Sequence, residues 1–170
     1  MGKALYSFLA NVRRHLRGDR PASGRPWDLA GDGPPAVLIA IVALVVDEQD
    51  RGLLAGVAAR NQWAVHFADT CTQAWTVLNQ RKAPIILCDR RLPGSDWRDV
   101  VYRMALSPHH ACAILLSHVV DDYLWNEVIR VGGYDVLSTP LREDDLVRSV
   151  RLAWSYWNTA AKVSPLSIKR

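Results

Sequence analysis

A chain of 170 residues, 49% apolar and 22% charged with a net charge of +4, has the make-up of one ordinary globular domain with a substantial core. Its three cysteines lack Cys-x-x-Cys spacing and read as reduced core thiols, which favours a cytoplasmic protein. The apolar run 36–46 is too short to cross a bilayer and, behind Pro34-Pro35, too late to be a signal peptide, so no exported or membrane-spanning reading survives.

The first 25 residues carry Lys3, Arg13, Arg14, Arg17, Arg20 and Arg25 against Asp19 alone. Leu5, Phe8, Leu9, Val12 and Leu16 recur at helical spacing among them, which predicts a basic amphipathic helix. Residues 18–35 are rich in Gly, Pro, Asp and Arg and read as a linker. Domain organisation follows: helix and linker over 1–35, a folded domain over 36–157, and a tail over 158–170.

From residue 36 the pattern is regular. Apolar runs at 37–46, 63–67, 84–88, 111–116 and 134–137 predict strands. Helix-like segments at 51–61, 70–81, 97–106, 121–131 and 141–157 alternate with them. Alternation of this kind implies right-handed crossovers and a parallel sheet covered on both faces. The nearly all-apolar first, third and fourth strands suit central positions, whereas the second, with His66, suits an edge. The predicted fold is α/β, a flavodoxin-like, doubly wound five-stranded parallel sheet with an N-terminal helical extension.

In such a sheet the carboxyl ends of the strands share one rim, where open α/β folds carry their chemistry. The first strand ends in Asp47-Glu48, the third in Asp89, the fourth in Ser117 and the fifth in Thr139-Pro140. Asp47, Glu48 and Asp89 are expected to converge there. Two carboxylates about 4 Å apart repel by roughly 4 kcal/mol at an effective dielectric near 20, so such a cluster calls for protonation or a cation. Magnesium suits hard oxygen ligands and keeps waters that a phosphate can replace.

The order of these residues resembles bacterial two-component response-regulator receiver domains, over 36–157. Asp47 and Glu48 match the family's acidic pair, Asp89 its phosphorylated aspartate, Pro93 and Asp96 the following loop, and Ser117 the hydroxyl residue ending the fourth strand. Gly132, Asp135, Leu137 and Pro140 match the segment around the fifth strand. The resemblance implies Mg²⁺ held by Asp47, Glu48, Asp89 and the backbone carbonyl of Arg91, with phosphoryl transfer to Asp89 assisted by Ser117.

Three positions depart from the family pattern. Thr139 stands at the usual lysine, Val136 at the usual switch aromatic, and Trp97 replaces a glycine. A neutral hydroxyl supplies a hydrogen bond without the positive charge that phosphoryl transfer relies on. Thr139 also reads as a helix cap, since Thr-Pro-Leu-Arg-Glu-Asp-Asp is a favourable helix start. Arg91 is the candidate to replace the lysine charge, and His118 reads as a loop residue.

The expectation is a stand-alone atypical receiver in phosphorelay signal transduction, not an enzyme, with Asp89 as phosphoacceptor and output through protein–protein contacts. Its partners would be a histidine kinase or phosphotransfer protein and a downstream protein. A homodimer through the fourth helix, fifth strand and fifth helix is the expected assembly, drawing on the aromatic surface of Trp125, Trp154, Tyr156 and Trp157. The alternative is a phosphorylation-independent pseudo-receiver that only binds partners. A metal-dependent phosphohydrolase would want an aspartate where Arg91 stands. Nucleic-acid binding would rest on the basic N-terminus alone, without any helix-turn-helix, zinc or RNA-binding signature.

Overall fold

The computed structural model describes residues 38–163, with side chains through residue 160. The basic N-terminal helix and its linker lie outside the described residues. Five strands alternate with five helices: β1 (Ala40–Leu44), α1 (Glu48–Asn61), β2 (Ala64–Phe67), α2 (Cys71–Arg81), β3 (Ile85–Asp89), α3 (Trp97–Ala105), β4 (Cys112–Ser117), α4 (Asp122–Arg130), β5 (Asp135–Ser138) and α5 (Glu143–Val163). All strand pairs are parallel, in the order β2-β1-β3-β4-β5. The nearly all-apolar strands β1, β3 and β4 are central, as predicted, and β2 is an edge. From β1 the chain winds first to β2 and then back across to β3, so a topological switch point opens between the carboxyl ends of β1 and β3.

Each face of the sheet is covered by its own helices. Leu54, Val57 and Ala58 of α1 and Leu146, Val150 and Ala153 of α5 pack on Ile41, Ile85, Leu87 and Ile114. On the other face, Ala74 and Leu78 of α2, Val100, Val101 and Met104 of α3, and Leu124 and Val128 of α4 cover Val42, Ile86, Ala113 and Leu115. Full burial of one such Leu, Val or Ile contributes roughly 1.5–3 kcal/mol. Val136, at the expected aromatic position, is a buried member of this second cluster. Cys88 and Cys112 are buried free thiols, and burial pushes the Cys112 thiol up to about 12.

Polar residues set the helix ends. Asp47, Thr70, Asp96 and Asp121 cap α1 to α4, each accepting backbone N–H bonds from the first turn. The Asp47 cap starts α1 at Glu48, three residues earlier than its hydrophobic pattern suggests. After α4 the chain turns through Gly132 and Gly133. A Cβ on Gly133 would lie 2.4 Å from Val128 Cγ1 and 3.0 Å from the Val128 carbonyl, so only glycine lets the chain pass this close.

The last connection differs from expectation. Thr139-Pro140 is a cis peptide and α5 begins at Glu143, so Thr139 does not cap it. Helix α5 continues to Val163, past the end at 157 that the apolar pattern indicates. It is tied down near both ends. Asp50 of α1, 3% exposed, accepts the Leu141 N–H at 2.6 Å just before the helix. Towards its far end Trp157 Nε1 donates to the His109 carbonyl at 2.8 Å, while His109 Nε2 lies 3.0 Å from the Ala83 carbonyl. Between them, Ser149 Oγ donates to Asp135 Oδ2 at 2.6 Å, and the Val136 N–H donates to Asp135 Oδ1 at 2.8 Å. Burial raises the Asp135 carboxyl above its ordinary range, with those two hydrogen bonds pulling the other way.

Among the described residues no helix is long and apolar enough to cross a membrane.

Candidate functional site

Parallel register brings the strand ends to one rim. Asp89, the last residue of β3, lies beside Leu116 of β4, and Ser117 lies beside Ser138 of β5. The ladder runs on past the strands: the Arg90 N–H donates to the Leu116 carbonyl at 2.9 Å, and the Thr139 N–H to the Ser117 carbonyl at 3.0 Å. Asp89, Ser117 and Thr139 thereby close three adjacent strands at one rim, each stepped one residue beyond the one before.

Asp89 is 4% exposed, and its Oδ1 accepts the Arg91 N–H at 2.9 Å. That bond folds the turn after β3 back over the carboxylate. Cys88 sits directly before it; burial, helped by the nearby Cys71 and Asp89 charges, holds its thiol far above the ordinary range and therefore protonated. Ser117, also 4% exposed, donates its Oγ hydrogen to the Val119 carbonyl at 2.8 Å. The same Oγ accepts from Arg90 Nη1 at 3.4 Å. Both arginines are exposed; the guanidinium that reaches the rim hydroxyl belongs to Arg90, whereas Arg91 contributes its backbone N–H to Asp89.

Thr139 takes a local partner. His118 Nδ1 is 2.9 Å from Thr139 Oγ1 and 3.2 Å from the Thr139 carbonyl, so the residues following β4 and β5 are laced together. His118 is thus more than a bystander in its loop.

The acidic pair after β1 behaves differently. Asp47 Oδ1 accepts the N–H groups of Gln49 at 2.9 Å and Asp50 at 3.1 Å and is committed to capping α1. The Glu48 side chain is 90% exposed and stands 4.0 Å from Arg51 Nε. Arg51 itself donates to the Val45 carbonyl at 3.2 Å and to Asp69 at 3.4 Å, with its guanidinium 4.7 Å from the centre of the Phe67 ring. A cleft of about 200 Å³ opens here, lined by Val45, Val46, Arg51, Asp69, Leu92 and Pro93 among others.

Asp47, Glu48 and Asp89 do not gather into a metal cradle. Among the described residues no three His, Cys, Asp or Glu side chains come together to hold an ion.

Arg90, Asp50 and Arg51 escape a reading of the sequence. The resemblance points to Arg91, two residues after Asp89, whereas the guanidinium that bonds Ser117 belongs to Arg90, one residue after it. Arg51 carries a weak signal, one helical turn after the acidic pair.

No family model matches the chain. It is 27% identical over 158 residues to the 3',5'-cyclic-nucleotide phosphodiesterase regA of Dictyostelium discoideum, covering 85% of this chain and 20% of that protein. The chain thus spans about a fifth of the curated relative it matches. Among solved structures it is similar to the signal receiver domain of an HD domain-containing protein from Pseudomonas fluorescens, with a TM-score of 0.69 at 21% identity, covering 79% of this chain and 100% of that one. A response regulator from Thermotoga maritima matches with a TM-score of 0.63 at 18% identity, over 70% of this chain and 99% of that one. A two-component response regulator from Clostridium difficile gives 0.63 and 18%, over 70% and 98%. The fold is the receiver fold of response regulators.

Proposed function

We propose that this chain is a receiver-type module of two-component signalling in which Asp89 accepts a phosphoryl group from a histidine kinase, a phosphotransfer protein or a small acyl phosphate. The supporting observation is the setting of Asp89: a buried carboxylate at the switch-point rim, with Oδ1 fixed by a backbone N–H and a hydroxyl on the neighbouring strand end. A carboxylate so placed is oriented before the donor arrives, and orientation is a large part of what phosphoryl transfer needs. The chain acts as a signalling module rather than an enzyme, with output through protein contacts, including self-association through α4, β5 and α5. No step of this reading is routed through a metal ion.

Intact-mass measurement of the full chain after incubation with acetyl phosphate, with magnesium and with a chelator, tests it. One added phosphoryl group, lost in Asp89→Asn, is the expected result. An unlabelled but folded wild type in both conditions would sink the phosphoacceptor role.

A second reading has its own support. Thr139 is engaged by His118, Val136 is packed in the core, and the acidic residues are not gathered. These features suit a pseudo-receiver that docks partners without phosphorylation. The aromatic residues of α5 favour neither reading, because much of their surface is used internally: Trp154 stacks on Trp157 with centroids 5.4 Å apart, and Tyr134 sits 5.5 Å from Tyr156.

A further inference from the structure

We infer that Arg90 is the anion-binding residue of this rim, holding the oxygens of a phosphoryl group on Asp89 together with the Ser117 hydroxyl. The inference deepens the phosphoacceptor reading and rests on it. The geometry is local. The Arg90 backbone is clamped by its N–H bond to the Leu116 carbonyl at 2.9 Å, one residue from Ser117, and its Nη1 lies 3.4 Å from Ser117 Oγ. Among the described residues it is the permanently charged side chain that hydrogen-bonds into the group formed by Asp89, Ser117 and Thr139.

The rim has need of that charge. A phosphoryl group arriving on Asp89 places a dianion at the end of β3. The ends of β4 and β5 offer it the neutral hydroxyls of Ser117 and Thr139. A guanidinium presents parallel N–H donors that match two phosphoryl oxygens. The 3.4 Å contact to Ser117 is a long one for a hydrogen bond. It leaves the remaining N–H groups of an exposed side chain to turn onto the incoming oxygens.

In the transfer step Asp89 Oδ2, the oxygen not bonded to the Arg91 N–H, attacks phosphorus. The Oδ2–P bond forms, the bond from phosphorus to the acyl oxygen of acetyl phosphate breaks, and acetate departs with the electron pair. Negative charge on the transferring phosphoryl oxygens then falls beside Arg90 and Ser117, where fixed donors lower the barrier.

The test is the rate of labelling of the full chain by acetyl phosphate, followed by intact mass, for wild type, Arg90→Ala, Arg90→Lys, Arg103→Ala and Asp89→Asn, with melting temperatures measured alongside. Because Arg90 is exposed, its charge is partly screened, and Arg90→Ala is expected to slow labelling about tenfold. Arg90→Lys should recover most of the rate, Arg103→Ala, at an exposed arginine of α3, should leave it unchanged, and raising the salt should slow wild type but not Arg90→Ala. Structural damage alone would lower the melting temperature and would not be repaired by lysine. Labelling of Arg90→Ala at the wild-type rate, with Asp89→Asn silent, would overturn the role of Arg90 while the acceptor stands. An Arg90→Lys rate as slow as that of Arg90→Ala would likewise overturn it. A wild type that takes no label would overturn both.

Discussion

Replacing Asp50 with alanine should cost this domain about 3 kcal/mol. The carboxylate is 3% exposed and accepts the Leu141 N–H at 2.6 Å across 91 positions of chain, and Leu141 is itself 5% exposed. Alanine leaves that N–H buried with no acceptor, a penalty of about 1–3 kcal/mol, and removes a charge-assisted bond whose net worth is about 1.5–3 kcal/mol. The two overlap, since both count the same pair, so about 3 kcal/mol is the expected total. Asp50→Asn keeps an acceptor oxygen with no formal charge and should lose only about 1 kcal/mol. Urea unfolding followed by far-ultraviolet circular dichroism measures both, and a fall of about 3 kcal/mol corresponds to roughly 10 °C in melting temperature for a domain of this size. Asp47→Ala, which removes only an N-cap, provides a scale of about 1 kcal/mol. Alanine and asparagine variants of equal stability, or an alanine variant within about 0.5 kcal/mol of wild type, would refute the argument that Asp50 clamps the β5–α5 connection.

Other expectations follow from the same packing. Gly133→Ala drives a methyl to within 2.4 Å of Val128 Cγ1 and 3.0 Å of its carbonyl, and should destabilise by about 2 kcal/mol in the same unfolding assay; a neutral result would mean that α4 yields easily. Burial raises the folded-state carboxyl of Asp135 above its unfolded value, so the folded chain binds that proton more tightly. This group therefore adds stability below the ordinary carboxylate range and loses it as pH rises through the folded value. Asp135→Asn should flatten that slope in melting temperature measured from pH 4 to 7, and an unchanged slope would count against it. Thr139→Lys should speed labelling by acetyl phosphate several-fold by adding charge at the rim; no gain would mean that His118 leaves no room for the ammonium.

The layout of the sheet was legible because burial writes it directly into composition. Ile85, Ile86 and Leu87 are wholly buried, as an unbroken apolar run in a central parallel strand requires, and His66 marks the edge. The residues of the rim were legible as a set, since each closes an apolar run. Their roles were less so. Asp47 reads equally as a ligand or a cap, and only the hydrogen bonds to Gln49 and Asp50 distinguish the two. Thr139 looks like a helix start, but α5 waits until Glu143 because Leu141 is drawn down onto Asp50. A bond between residues 91 positions apart leaves no periodicity to read. Arg91 is singled out by the resemblance alone, through its place two residues after Asp89, and nothing in the sequence shows that the Arg90 guanidinium reaches Ser117.

The clasps on α5 bear on how a change at the rim could reach a partner. With Asp50 gripping the chain before its first turn and the His109 carbonyl gripping Trp157 far along it, the helix is a beam built in at both supports. Each of these two supports is a buried or half-buried hydrogen bond, and the exposed Arg60–Glu143 ion pair adds a surface tie at the helix start. The exposed side chains near the rim lie elsewhere, in the 117–121 loop and the start of α4, where Val119, Val120 and Tyr123 stand out from the surface.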